Sequence, residues 1–295
     1  FYPATKKSWH QGWPDKGAVL AAVTAPIVEG DKTLRVDTPS KIKTDDWVVV
    51  SQYFSPEFSR LHANGHWDSI QGWPQSRSDI DRRSALIYLR RVEEVHGKAV
   101  TLDAPIPWHL DPKDNPIRLR SAVSTPDGHS SIALHHNLGI AGMTLTFADQ
   151  KRGKTHRPQG VGVHFEGVRD GWVYDVKIHN IPRHGIQLEH SARISIAHSA
   201  VLDAQDYGNG GYGYAYHILS SQNVLIDQSY AEEIRHGIVP QYPMTSMLVS
   251  SRNHIAAARL SDDTHSGLIH GLLLDQPVFS HGGGFQAFMR GKASG

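Results

Sequence analysis

A short apolar string recurs along the second half of the chain every 22 to 30 residues, which leaves no room for helices between recurrences. Phe165-Glu166-Gly167-Val168 leads into Trp172-Val173-Tyr174-Asp175-Val176, and Leu188-Glu189-His190-Ser191 leads into Ile194-Ser195-Ile196-Ala197-His198. Ile218-Leu219-Ser220-Ser221 then leads into Val224-Leu225-Ile226-Asp227-Gln228. Ser191 to Ile194 precedes Ser221 to Val224 by 30 residues, whereas Tyr214-Ala215-Tyr216 precedes His236-Gly237-Ile238 by 22. The extra residues of the longer interval fall in the Gly/Asn-rich run from Asp206 to Gly211, which reads as an enlarged turn. Each unit offers two or three short strands with alternating apolar positions, and no stretch keeps a helical period. This pattern predicts an all-β chain built around a right-handed parallel β-helix, one coil per unit, stacked about 4.8 Å apart. A propeller needs about 40 residues per blade, and a leucine-rich repeat needs a template that is absent.

Upstream of about residue 120 the texture differs. Thr33 to Val36, Trp47 to Val50, Ala85 to Leu89 and Ala99 to Leu102 are β-branched or apolar runs bounded by turn residues. They predict a small N-terminal antiparallel subdomain over 1–120, with the β-helix over 121–295. A long insertion between two of these strands, about 52–84, carries Trp67 and Trp73 among Gly, Pro, Ser and Arg. Flat aromatic faces suit sugar rings, so both are expected at a glycan-binding surface.

Charge and composition remove other classes. The 295 residues carry 30 Lys+Arg against 29 Asp+Glu, a formal charge of +1, whereas a nucleic-acid binder carries a basic excess. No apolar run is long enough to span a membrane. With no cysteine there is neither a disulfide scaffold nor a thiolate metal site. The chain starts at Phe1, as a processed secreted or surface protein would, and ends at Lys292-Ala293-Ser294-Gly295 without an evident cap. An uncapped solenoid end is a surface on which another subunit can stack.

The repeat also aligns chemistry. Arg183-His184-Gly185-Ile186 and Arg235-His236-Gly237-Ile238 share one tetrapeptide two coils apart, with Gly213-Tyr214-Ala215-Tyr216 between them. Simple alternation points His184, Tyr214 and His236 inward with Ile186, Tyr216 and Ile238; a bulge at Gly185 and Gly237 turns them outward. Turned outward, Arg183 and Arg235 would neutralise a substrate carboxylate while His236 or Tyr214 exchanges a proton. One coil on, Asp263 and His265 lie two apart on an extended segment, so the carboxylate can orient the imidazole as a second acid/base. Glu233, Asp262 and Asp263 are the carboxylates available to a hydrolase. No histidine pair stands at clear metal spacing, so no metal site is expected. Calcium needs several carboxylates together, and only Asp203, Asp206 and Asn209 approach that.

The coil pattern over about 120–290, with Gly211-Tyr212-Gly213-Tyr214, Val224-Leu225-Ile226, Arg235-His236 and Asp263-Thr264-His265, resembles the pectate-lyase-like superfamily of right-handed β-helix proteins. The polygalacturonase pattern of spaced aspartates is absent except for Asp262-Asp263, and the usual calcium aspartates are not recognisable. The resemblance implies a secreted or surface enzyme that cleaves a polysaccharide, including uronate-containing ones, in an outer groove by lyase or hydrolase chemistry. The alternative is a non-catalytic β-helix: an adhesin, a phage-type spike or a filament subunit.

Overall fold

The computed structural model describes residues 18–53, 85–122, 135–150, 159–206, 208, 210–242, 244–265 and 269–286. The chain divides into two compact units between Ala133 and Leu134. Among the described residues no helix is long and apolar enough to cross a membrane.

The first unit holds six strands: β1 (Val19–Ala22), β2 (Thr33–Arg35), β3 (Trp47–Tyr53), β4 (Ala85–His96), β5 (Ala99–Leu102) and β6 (Arg118–Ser121). They form one antiparallel sheet in the order β1-β6-β3-β4-β5-β2. Arg90 is buried in it, donating from Nη2 to the Pro105 carbonyl at 2.7 Å and from Nη1 to the Leu89 carbonyl at 2.8 Å. The insertion with Trp67 and Trp73 lies outside the described residues.

The second unit is the parallel β-helix. One wall carries β7 (His135–His136), β8 (Gly139–Thr146), β10 (Val168–His179), β12 (Ala192–Ala197), β15 (Gln222–Asp227), β18 (Ser246–Ser251) and β21 (His270–Asp275). Both β8 and β10 run around a corner into the next wall, which continues as β13 (Ala200–Leu202), β16 (Tyr230–Glu232), β19 (His254–Ala256) and β22 (Val278–Ser280). The third wall is β9 (Val161–Glu166), β11 (His184–Glu189), β14 (Tyr214–Leu219) and β17 (His236–Gln241). Above it lie the short β20 (Asp262–Asp263) and β23 (Phe285–Gln286), paired with each other. All pairing in this unit is parallel, and Val163, Ile186, Tyr216 and Ile238 form the single column the repeat predicts.

The corners are turned by single residues in the left-handed region, aligned coil upon coil. Asp175, His198, Gln228, Arg252 and Gln276 share one corner; Asn180, Asp203, Glu233, Ala257 and His281 share the next. A left-handed residue interrupts the ladder, and the side chain that follows it makes good the loss. Ser191 Oγ accepts from the Val168 N–H and Ser221 Oγ from the Ser191 N–H; Ser199, Ser229 and Asn253 repeat the device at a second corner. Between the corners the inward residues of all three walls make one continuous core of Val, Ile, Leu and Tyr216.

Candidate functional site

Four small residues decide what the third wall presents. Gly162, Gly185, Ala215 and Gly237 occupy equivalent positions, and all face the core. A Cβ on Gly185 would meet Val201 Cγ1 at 2.4 Å, and one on Gly237 would meet Ile255 Cδ1 at 2.6 Å; Ala215 is itself in the core. The residue after each also points inward, so two consecutive side chains face the core, and the register passes from the His184–Tyr214 pair to the Ile186–Tyr216 pair. The residue before is thereby turned out. His184, Tyr214 and His236 accordingly pack against outward neighbours: the His184 ring lies 4.6 Å from His217, which sits between the inward Tyr216 and Ile218. Of the two orientations open in the sequence, the outward one is found.

The upper coils of this wall gather most of the residues singled out by sequence. His184 stacks on Tyr214 at 4.9 Å, Tyr214 lies 5.2 Å from His236 and 5.8 Å from His265, and the two histidines are 5.5 Å apart. Asp263 contacts His265 Nδ1. His236 Nδ1 lies 2.6 Å from the Ser261 carbonyl, so it carries the proton and leaves Nε2 with its lone pair. Although turned outward, these groups are covered: His184, Tyr214, His236, Asp263 and His265 are between 1% and 9% exposed. Burial pulls His184 well below the usual imidazole range, assisted by His217 and Arg183. It brings His236 to about 4 and His217 to about 3, against the raising effect of their hydrogen bonds to Ser261 and Gln241. These imidazoles are neutral at neutral pH.

Arg183 and Arg235 keep their places beside the column, Gly213 N–H donating to the Arg183 carbonyl and Arg235 N–H to that of Gly213. The Arg183 guanidinium is engaged by the enlarged turn, donating to the Gly211 carbonyl at 3.2 Å and lying over the Tyr212 ring. Asp262 corrects a further expectation. It points into the coil rather than toward Asp263's partners, accepting from the Gly237 N–H at 2.6 Å, and burial raises its pKa to about 7. Glu233 is a corner residue on a different side. It lines a polar pocket of about 420 Å³ with Asp149, Gln150, Asn180, Asp203 and Gln205. Asp203 and Asp206 do not meet in a calcium site; Asp206 Oδ1 accepts from the Gly208 N–H, and Asn209 lies outside the described residues.

The solvent-facing part of the same wall lies on its lower coils, where sequence spacing pointed to nothing. Glu166 and Glu189 are register partners on β9 and β11, with His164 and Gln187 partnered beside them. Oxygens of both carboxylates and a nitrogen of His164 lie within 4.8 Å of one another. His164 Nε2 is 3.4 Å from Glu189 Oε2, and the Gln187 amide donates to the same oxygen at 3.4 Å. Glu166 is exposed; the His164 and Glu189 side chains are 18% and 23% exposed. Partial burial and the neighbouring Glu189 raise the Glu166 pKa. Burial also opposes ionisation of Glu189, but the His164 hydrogen bond and the charges of His190 and His164 outweigh it and lower its pKa. The signal was present in the repeat: Phe165-Glu166-Gly167 and Leu188-Glu189-His190 put a glutamate at the same place, just before the corner.

The absence of a metal site expected from spacing also needs correction. Among the described residues two groups bring three metal-capable donors together, His236-Asp263-His265 and His164-Glu166-Glu189. Both join residues from different coils, which linear spacing does not display.

No protein-family model matches the chain, and no curated protein matches it. Solved structures do. The chain is similar to the Gp54 tailspike of Acinetobacter baumannii bacteriophage AP22, solved with A. baumannii capsular saccharide, at 14% identity and a TM-score of 0.44. That similarity covers 92% of this chain and 44% of the tailspike. The gp49 tailspike of Pseudomonas phage LKA1 matches at 12% identity and a TM-score of 0.40, over 89% of this chain and 46% of that one. The gp61 tailspike of Pseudomonas phage phi297 matches at 11% and 0.39, over 92% and 58%. The chain spans about half the length of these tailspikes.

Proposed function

We propose that the chain is a glycan-cleaving enzyme, a retaining glycoside hydrolase acting on a polysaccharide laid along the third wall of the β-helix. The observation that carries this reading is the Glu166–Glu189 pair, two carboxylates on adjacent coils with proton affinities displaced in opposite directions. Retaining enzymes hold their carboxyl groups about 5–5.5 Å apart, inverting ones at least about 6.5 Å, and oxygens within 4.8 Å belong with the former. Glu189, kept ionised by His164, attacks the anomeric carbon as the glycosidic C–O bond breaks. Glu166 gives its proton to the departing oxygen. A water then releases the sugar from Glu189 and returns a proton to Glu166. An open wall takes a polymer more readily than an enclosed pocket would, and a secreted or surface location suits such a substrate.

The proton-shuttling lyase expected from Arg235, His236 and Tyr214 is less favoured because a sugar must touch the reacting groups, and these are nearly sealed. The experiment is a panel of bacterial polysaccharides assayed for new reducing ends, with the first-formed anomer read by proton NMR. The expected result is retained configuration and a loss of at least about a hundredfold in Glu189→Gln and in Glu166→Gln. Products absorbing as unsaturated uronates would restore the lyase. Binding without turnover would leave a non-catalytic spike or adhesin.

A further inference from the structure

We propose that His236, Asp263 and His265 form a zinc site that clips the last coils of the third wall together, separate from the glycan chemistry assigned to Glu166 and Glu189. Two imidazoles and one carboxylate are a donor set that zinc takes, with a fourth position left for water or another ligand. One ligand atom from each residue already lies within 4.8 Å of the other two. Tetrahedral zinc with bonds near 2.0–2.1 Å needs about 3.4 Å between ligand atoms, so closing the site takes shifts of about an ångström.

The supporting contacts match. A metal-bound histidine ordinarily donates its other N–H to a carbonyl or carboxylate, which fixes the ring and its tautomer. His236 does so through Nδ1 to the Ser261 carbonyl at 2.6 Å, which presents Nε2 to the cluster. The three residues lie at 9% exposure or less, where a bound ion is shielded from competing water.

The position supplies a reason for the ion. Through β9, β11, β14 and β17 the wall is held by regular parallel ladders. Above β17 that ladder stops: β20 pairs with β23, and the link to β17 is the single Gln241–His265 bridge with the Asp262 side-chain bond to Gly237. His236 belongs to the lower coil, Asp263 and His265 to the upper one. An ion held by all three replaces missing rungs with coordinate bonds at the point where the stack is least tied.

The test uses the full chain, stripped with chelator and dialysed, then titrated with zinc by calorimetry and with cobalt(II) by visible absorption. The expected result is one ion bound with sub-micromolar Kd, a cobalt spectrum of four- or five-coordinate intensity, and a melting temperature raised by zinc. Zinc affinity should fall at least about a hundredfold in His236→Ala, His265→Ala and Asp263→Asn, and stay unchanged in Glu189→Gln. Weak uptake of several ions, the behaviour of surface imidazoles, would overturn the proposal. So would a faint octahedral cobalt spectrum, or binding lost in Glu189→Gln and kept in His265→Ala. If a ligand variant fails to fold, wild-type stoichiometry and the cobalt spectrum still decide. Glycan turnover is measured separately, so a failed hydrolase reading leaves this result standing, and the reverse.

Discussion

Replacing Gly185 by Ala tests the device that turns His184, Tyr214 and His236 outward. Gly185 has no positive φ, so alanine is compatible with its backbone. Where a new methyl meets open space, such a change stabilises by about 0.4–1 kcal/mol through the unfolded chain. Here the methyl would stand 2.4 Å from Val201 Cγ1 and 2.7 Å from the Ala215 carbonyl oxygen. Val201 can give way a little; the carbonyl belongs to the neighbouring strand and cannot. Overpacking of this kind costs about 1–3 kcal/mol, leaving a net loss of about 1–2 kcal/mol. For a unit of this size that lowers the melting temperature by about 3–6 °C, measured by scanning calorimetry. Adding Val201→Ala should recover part of the loss and no more, because the carbonyl contact remains. Gly210→Ala, in the enlarged turn with nothing within 4 Å, is the control and should be neutral. If Gly185→Ala proves as stable as the wild type or more so, position 185 does not face the core and the outward orientation of His184 falls with it.

Two further outcomes follow from charge and burial. The Glu166 pKa is raised, so its proton is held further up the scale and activity is lost as pH rises through it. The Glu189 pKa is lowered, so activity is lost as pH falls through that value; Glu166→Gln should erase the basic limb of the kcat/KM profile on an activated aryl glycoside, and an unchanged limb would refute its role. In the first unit, Arg90→Met should cost about 3 kcal/mol in urea denaturation, because the carbonyls of Leu89, Ala104 and Pro105 lose a buried donor; a loss below about 1 kcal/mol would show that water reaches them.

The coil stack was legible because its strongest determinant is periodic. Val163, Ile186, Tyr216 and Ile238 lie in one column because the intervals of 30 and 22 residues, once aligned, leave no other register. The short strands of the first unit were legible from their β-branched runs. What the sequence hid were matters of direction. His184 and His236 could face either way, since the glycines beside them both permit alternation and permit its failure. Asp262 and Asp263 read as one acidic pair, yet one turns into the coil and the other toward His265. Glu166 and Glu189 meet only because coils stack, and each taken alone reads as a solvated turn residue. The corners were equally silent: they are left-handed, but Asp, His, Gln, Arg and Glu stand there more often than glycine.

Those corners also govern how such a chain tolerates changes of length. Every rung is held in phase with the rung below by residues that bend the backbone at fixed points. A residue added within a wall would therefore throw all later side chains onto the wrong face. One segment escapes this rule, the stretch between the Asp203 corner and Tyr214, where the interval to the next rung grows to 30 residues and then returns to 22. That slack has been spent on Gly211 and Tyr212, which reach Tyr214 and Arg183 beside the histidine column. The stack keeps strict time everywhere else, and the single place where it pauses is the place where the outer surface acquires new shape.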